Sequence, residues 1–402
     1  MGCDSGRVVC VLVVQGIDSS TARWPGPFIH RWEPTGDEKS MHRGLANAGV
    51  DDLHMSATQR RSGHWDWWKG VAILAVIAIH AVGTTTTSDG PFANEFAVVF
   101  RQIVNFAVAL FLCIAGYFAA KSWRGDAIGY WRSRGWRILP AYLVWTTVAV
   151  AVMKPGHFAS PRALIDDYGF GLGIGIGYYV IVLLQYVALV PLLARLRSTA
   201  QHISVMVVTM TIGLTISYVL QIAFAETRWS NFPFNAILFI VWAPFFQLGF
   251  WAGRNPGAIK SRSDGLWLWL AALTVLAAVA EGFYWDSRGI GLAQSQIKAS
   301  SFLVSIFVAL HVIATRETQR SGPVAAGIEC IGRSSYMIYL SHMLFLPTIT
   351  AAVRISMPAL YSFRPAALLV ATTLAAALCI ALAFFIRKLT RPVIYRDLLG
   401  IG

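Results

Sequence analysis

The sequence predicts an all-α polytopic membrane bundle of about ten transmembrane helices, and three observations lead to it. Hydrophobic residues make up 56% of the chain and charged residues only 13%, against roughly 25% charged in ordinary soluble domains. The apolar residues gather into runs of about 17 to 23, each long enough at about 1.5 Å per residue to cross a hydrocarbon core of roughly 30 Å. The lysines and arginines recur in short clusters on alternate loops between those runs.

Taken in order, residues 1–64 differ from the rest: they are polar and rich in Gly, Arg and Asp. They read as a disordered cytoplasmic tail, or as an upstream start chosen in place of Met41 or Met55. The apolar stretch Val8 to Val14 is too short to span and has no small-residue cleavage site behind it. Position 6 is Gly6, where a myristoylation signal needs Ser or Thr. The apolar runs then fall at 67–84, 96–119, 138–153, 176–194, 203–224, 236–252, 266–284, 299–315, 334–353 and 365–386. Lipid offers no partner to an unpaired backbone group, so each must be a helix. A glycine-rich run, Gly169 to Gly177, precedes the fourth as a re-entrant or loosely packed loop. Residues 391–402 read as a short cytoplasmic tail.

Orientation follows from the basic residues. With the N-terminus inside, 25 of the 33 lysines and arginines fall on the cytoplasmic side, and without the tail up to Arg61 the division is still 18 against 8. The positive-inside rule therefore places both termini in the cytoplasm and the chain in the inner (plasma) membrane. The net charge of +13 is spread over loops and does not form a basic patch with interleaved aromatics, which speaks against nucleic acid. No Cys pair has CxxC or Cys/His spacing, so neither disulfides nor a metal site is expected.

Ionisable residues inside spans are costly and mark functional candidates. In the first span Lys69 and His80 are eleven positions apart, about 20° from three full turns, so they share a face roughly 16 Å apart along the axis. Asp66 lies three positions before Lys69 on nearly the same stripe. A snorkelling lysine and a carbonyl-bonded histidine are the bland alternative; for Lys69 the two readings are even, while an intramembrane histidine favours function. Before the third span come Arg132, Arg134 and Arg137. Arg134 and Arg137, three apart, share a helix face where two guanidinium forks can converge on one anion, although a lone arginine there would be ordinary positive-inside decoration. Ser335, Tyr339 and His342, spaced four and three apart, make a polar stripe that interhelical hydrogen bonding alone explains about half the time. Gln185, Asn105 and Glu281 read as packing or rim residues.

Three segments together resemble the acyltransferase family 3 membrane proteins: Asp66-Trp-Trp-Lys-Gly followed by His80, Phe111 to Tyr117 leading into Arg134-Gly-Trp-Arg137, and Ser335 through His342. The similarity covers about residues 64 to 390, and within it 65–390 forms the transmembrane domain. Ala115 departs from the serine the family usually has there. The chain stops soon after the tenth span, as in members without an appended extracytoplasmic domain. The resemblance implies an O-acyltransferase that moves an acyl group, usually acetyl, from acyl-coenzyme A to a hydroxyl of a cell-surface or exported carbohydrate. The partners expected are then the lipid bilayer, acyl-CoA and the carbohydrate acceptor.

On that reading His80 is the catalytic base, its ordinary pKa near about 6.5 suiting the work. Lys69, Arg134 and Arg137 bind the donor's phosphates; Asp66, Tyr117, Ser335, Tyr339 and His342 support or line the acceptor side. There is no Gly-x-Ser-x-Gly elbow, so direct transfer is preferred to a serine acyl-enzyme, with a covalent relay through a histidine as the alternative. The rival is a transporter or flippase of a polar or lipid-linked substrate, which would favour internal repeats that this sequence lacks.

Overall fold

The computed structural model describes residues 43–85, 93–259 and 264–401, and of residues 43–62, 93 and 264 only the backbone. The expected tail lies outside the described residues over 1–42. The bundle described below is the compact unit Met55–Gly402. Its described residues form helices and no strand.

In chain order the helices are α1 (Arg43–Thr84), α2 (Ala93–Val104), α3 (Phe106–Ser122), α4 (Ala127–Met153), the single turn α5 (Pro161–Leu164), α6 (Tyr178–Leu193) and α7 (Thr199–Ala223). Then follow α8 (Phe239–Arg254), α9 (Asp264–Asp286), α10 (Ala299–Ala314), α11 (Pro323–Arg333), α12 (Ser335–Ser356), the short α13 (Pro358–Ser362) and α14 (Arg364–Leu389). Eight segments are long and apolar enough to cross a membrane: Gly63–Thr84, Asn94–Ser122, Ala127–Met153, Thr199–Ala223, Gly265–Asp286, Gly291–Ala314, Ser335–Ser356 and Arg364–Leu389. Between them stand α6, apolar over 16 residues, and α8, also 16 residues and almost wholly buried.

Three features differ from the apolar pattern. The second run is broken at Asn105 into α2 and α3, and the Asn105 side-chain amide donates to the carbonyls of Gln294 and Ser295 at 3.4 and 3.2 Å. The helix of the third span, α4, begins at Ala127, ahead of the apolar run at 138, so its first turns carry the arginine cluster and give Arg134 and Arg137 the helical spacing expected of them. Hydropathy ends where charge begins, but nothing in residues 127–137 breaks a helix. The glycine-rich run is tightly packed, not loose. Gly171 and Gly177 meet backbone to backbone, Gly173 lies against Thr146, and Ile174 and Ile176 are buried. Gly171 and Gly175 take positive φ, +76° and +72°, conformations that glycine adopts without strain.

Burial separates inner from outer helices. More than half of the spanning window is buried in the segments of α1, α2–α3, α10 and α12, against 11% for α7 and 17% for α9. The exposed Leu266, Trp269 and Leu276 on α9 and Val207 and Val208 on α7 are the surface expected to meet acyl chains. Inside, lipid supplies no hydrophobic contrast between helices, so close van der Waals approach has to hold them. Glycine provides it twice across α3 and α8. A Cβ at Gly116 would overlap the Phe246 carbonyl oxygen, and one at Gly249 would overlap that of Cys113. It does so again where α1 meets α11: Gly70 lies on the Ile328 backbone and Gly332 on the Asp66 carbonyl.

Replacing Gly249 with valine forces α3 and α8 apart, at a cost of about 1–3 kcal/mol or more. In detergent this appears as a drop in the thermal unfolding midpoint. Gly327→Ala, at an exposed position of α11 with nothing within 4 Å, serves as the control. It should leave the midpoint unchanged or raise it slightly, since alanine is the better helix former by about 0.5–1 kcal/mol.

Candidate functional site

Helix α1 carries the polar residues of the site. Its first turns hold Asp66 and Lys69, ion-paired at 2.6 Å (Lys69 Nζ to Asp66 Oδ1), the separation that three helical positions produce. Around them the aromatic residues are fixed by specific contacts. Trp65 packs against Tyr117 of α3 in a tilted pair, centroids 4.4 Å apart and planes 35° apart, and Lys121 lies 5.8 Å from the Tyr117 ring. From the α10–α11 connection, Arg320 lies 4.1 Å over Trp67 and donates to His64 Nδ1 at 3.2 Å. His64 Nε2–H in turn donates to the Val312 carbonyl at 3.0 Å, an arrangement that requires the neutral tautomer protonated at Nε2. Burial pulls the pKa of Arg320 below the ordinary arginine value, and Glu329 opposes that.

These residues border two cavities at the basic ends of the helices. A wide one of about 830 Å³ is lined by Trp65, Tyr117, Phe118, Lys121, Arg316 and Glu317, among others. A narrower, mostly apolar one of about 240 Å³ lies deeper. It is bordered by Lys69, Arg137, Ala115, Phe118, Ser335, Tyr179 and Tyr339, among others. Phe118 belongs to both linings. Arg137 thus shares a cavity with Lys69 and Ser335. Arg134 is not in that lining; its guanidinium sits 5.8 Å from the Tyr130 ring. Ala115 faces this cavity, so a serine there would put its hydroxyl into it.

A third cavity, about 440 Å³, opens at the opposite ends of the helices. Its lining includes Ile79, His80, Arg101, Tyr178, Asn235 and Trp242. Between it and the narrow cavity stands a partition of rings. Tyr179 and Tyr339 are 5.2 Å apart, Tyr339 and His342 6.2 Å, and His342 and His80 5.5 Å. Tyr339 is held by donating its hydroxyl to the Ile176 carbonyl in the glycine-rich segment. His342, fully buried, lies with Nδ1 3.1 Å from the Ile338 carbonyl. Nδ1 therefore carries the proton, and the basic nitrogen is Nε2, which has no hydrogen-bond partner among the described residues. The α12 stripe of Ser335, Tyr339 and His342 thus runs from the narrow cavity through the partition, and His80 faces the far side. Among the described residues no group of histidine, cysteine, aspartate or glutamate is arranged to hold a metal ion.

The lesser polar candidates are packing residues. Gln185 bridges the Ile237 carbonyl and the Phe239 amide, both at 2.9 Å. Glu281 accepts from Tyr218, Trp285 and Ser300. Arg101 escaped the reading of the sequence. It sits within the second apolar run, where the rule that singles out His80 applies to it equally, but the charge count places it only with the eight outside or near the outer face. Tyr178 and Tyr179 carry no motif at all. Successive residues of one helical turn, they line cavities on opposite sides of the partition.

A helical membrane bundle whose buried polar residues connect cavities on its two faces is a membrane enzyme or a transporter. The chain belongs to the acyltransferase family whose domain model matches residues 63–387, and it is thereby a membrane acyltransferase. Among curated proteins and among solved structures, nothing matches it.

Tyr339→Phe leaves the Ile176 carbonyl without its donor, a loss of about 1 kcal/mol. Limited proteolysis should then cut faster within residues 154–177 than in the wild type, while the overall melting point moves by only a few degrees.

Proposed function

We propose that the protein is an O-acyltransferase that takes an acyl group, acetyl in the simplest case, from acyl-CoA on the basic face and passes it to a carbohydrate hydroxyl. The observation that carries this reading is the alignment of the cavities on the two faces through Tyr339, His342 and His80. On this reading the basic face is cytoplasmic, as the positive-inside count supports, and the membrane is the inner one, with both termini on the cytoplasmic side. A coenzyme A molecule has a bulky polyanionic nucleotide and a thin arm. The wide cavity with Lys121, Arg316 and the tilted Trp65–Tyr117 pair suits the former, with Lys69 and Arg137 at the neck. The narrow apolar cavity suits the arm, which would present the thioester to the ring partition.

The acceptor reaches His80 from the opposite cavity. His80 makes no hydrogen bond to another described residue, so a ring nitrogen is free to take the acceptor's hydroxyl proton. The alkoxide attacks the thioester carbonyl, the carbon–oxygen bond forms and the carbon–sulfur bond breaks. The leaving thiolate takes up the proton from the imidazolium, which restores His80. His342, its Nδ1–H fixed on Ile338, presents its basic Nε2 beside His80 and orients it. A flippase would require a path through the partition; an acyltransferase needs only the acyl group to reach it.

With the protein in nanodiscs and labelled acetyl-CoA, His80→Ala should lose about two to four orders of magnitude of thiol release while still binding donor. Arg137→Ala should raise the apparent KM for donor at little cost in kcat. Near-normal turnover by His80→Ala, or an Arg137 effect on the acceptor alone, would overturn the assignment.

A further inference from the structure

The cavity that holds His80 also holds a cation that the proposed chemistry does not use. Arg101 projects from α2 into it, within a membrane-spanning segment. Its guanidinium is tied to backbone carbonyls: Nε and Nη2 donate to Gln294 at 3.2 and 3.0 Å, and Nη1 donates to Ile79 at 3.1 Å. Those three bonds leave two of its five N–H donors unassigned. They also fix the fork beside His80, since Ile79 is its neighbour on α1. Among the described residues no carboxylate pairs with Arg101, and none lines this cavity. Glu281, a carboxylate of the neighbouring α9, is taken up by Tyr218, Trp285 and Ser300, and the adjacent cation Lys298 is bonded to Gln102 and the Ala278 carbonyl.

An arginine keeps its charge at physiological pH, and a charge held within a span without a counter-charge is costly. Such a cost is tolerated where a ligand supplies the anion. The rest of the lining suits a sugar. Trp242 and Tyr178 contribute aromatic wall, Asn235 lines it while donating its amide to the Ser230 carbonyl at 2.9 Å, and the Gln296 side-chain carbonyl oxygen is buried with no partner among the described residues. A volume of about 440 Å³ admits a sugar unit.

Resting on the acyltransferase reading above, we propose that this cavity is the acceptor site and that it selects acidic sugars, with Arg101 gripping a carboxylate or phosphate beside the hydroxyl that His80 deprotonates. A purely structural Arg101, clipping α1 to the connection before α10, would give the cavity no preference for charge.

The test is direct binding to the full chain in nanodiscs, followed by saturation-transfer NMR at fixed ionic strength. The ligands are methyl glucuronide, a phosphorylated methyl glucoside and neutral methyl glucoside. The wild type should bind at least one acidic sugar about ten-fold or more tighter than the neutral one, as a charge-assisted pair requires, and the two acidic ligands tell carboxylate from phosphate. Arg101→Gln should bring the preference to within about two-fold, and Arg101→Lys should keep part of it. If the glutamine variant does not fold, the ligand series on the wild type and the lysine variant carry the test. Equal binding of acidic and neutral sugars, no binding of either acidic sugar, or a preference unchanged in Arg101→Gln overturns the proposal. Acetyl-CoA turnover measured on the same nanodiscs reports separately. A charge preference without turnover would remove the acetyl-CoA reading and keep the site; turnover without the preference would do the reverse.

Discussion

A polar group inside a bilayer has no water to fall back on, and that constraint arranges the whole bundle. The backbone meets it by forming helices, and side chains meet it by turning inward onto carbonyls. Asn105, Gln185 and Arg101 each end on backbone oxygens of a neighbouring segment, and Tyr339 ends on Ile176. Glycine contacts make this possible by bringing helix axes close enough for short side chains to reach. Gly116 and Gly249 do so across α3 and α8, and Gly70 and Gly332 do so beside Lys69. Packing and polar chemistry are therefore coupled: the residues that permit close approach decide which polar groups find partners. What stays unpartnered after such packing, among it His342 Nε2, stands out as a place where chemistry is expected.

Much of the architecture was legible in the sequence because lipid imposes a length and a composition on each span. Helix ends were less legible. Hydropathy cannot see that α4 continues back through its arginines to Ala127, because a helix can leave the membrane without ending. The break at Asn105 was equally invisible, since an asparagine amide that bonds a distant loop looks locally like any polar residue in an apolar run.

The site was legible where it follows one helix and obscure where it is assembled from several. Lys69 and His80 share a stripe that 100° per residue makes predictable, and Ser335, Tyr339 and His342 share another. Nothing in the order of residues says that the two stripes meet, with His80 and His342 5.5 Å apart. The same limit hid the separation of Arg134 from Arg137. Helical spacing puts them on one face, but only the neighbours of α4 determine which guanidinium turns into a cavity and which lies over Tyr130. Arg101 was hidden differently, by a charge count that treats it as one of the cations outside or near the outer face.

The ring partition also has an electrical meaning. Elsewhere in the bilayer the membrane voltage falls gradually over roughly 30 Å of hydrocarbon. Where cavities enter from both faces, most of that fall is compressed into the few side chains between them: Tyr179, Tyr339, His342 and His80. A proton moved across that layer does work against the share of the potential that falls there, at most about 2.3 kcal/mol per 100 mV. The energised state of the membrane thereby enters the free energy of any proton transfer between these two histidines.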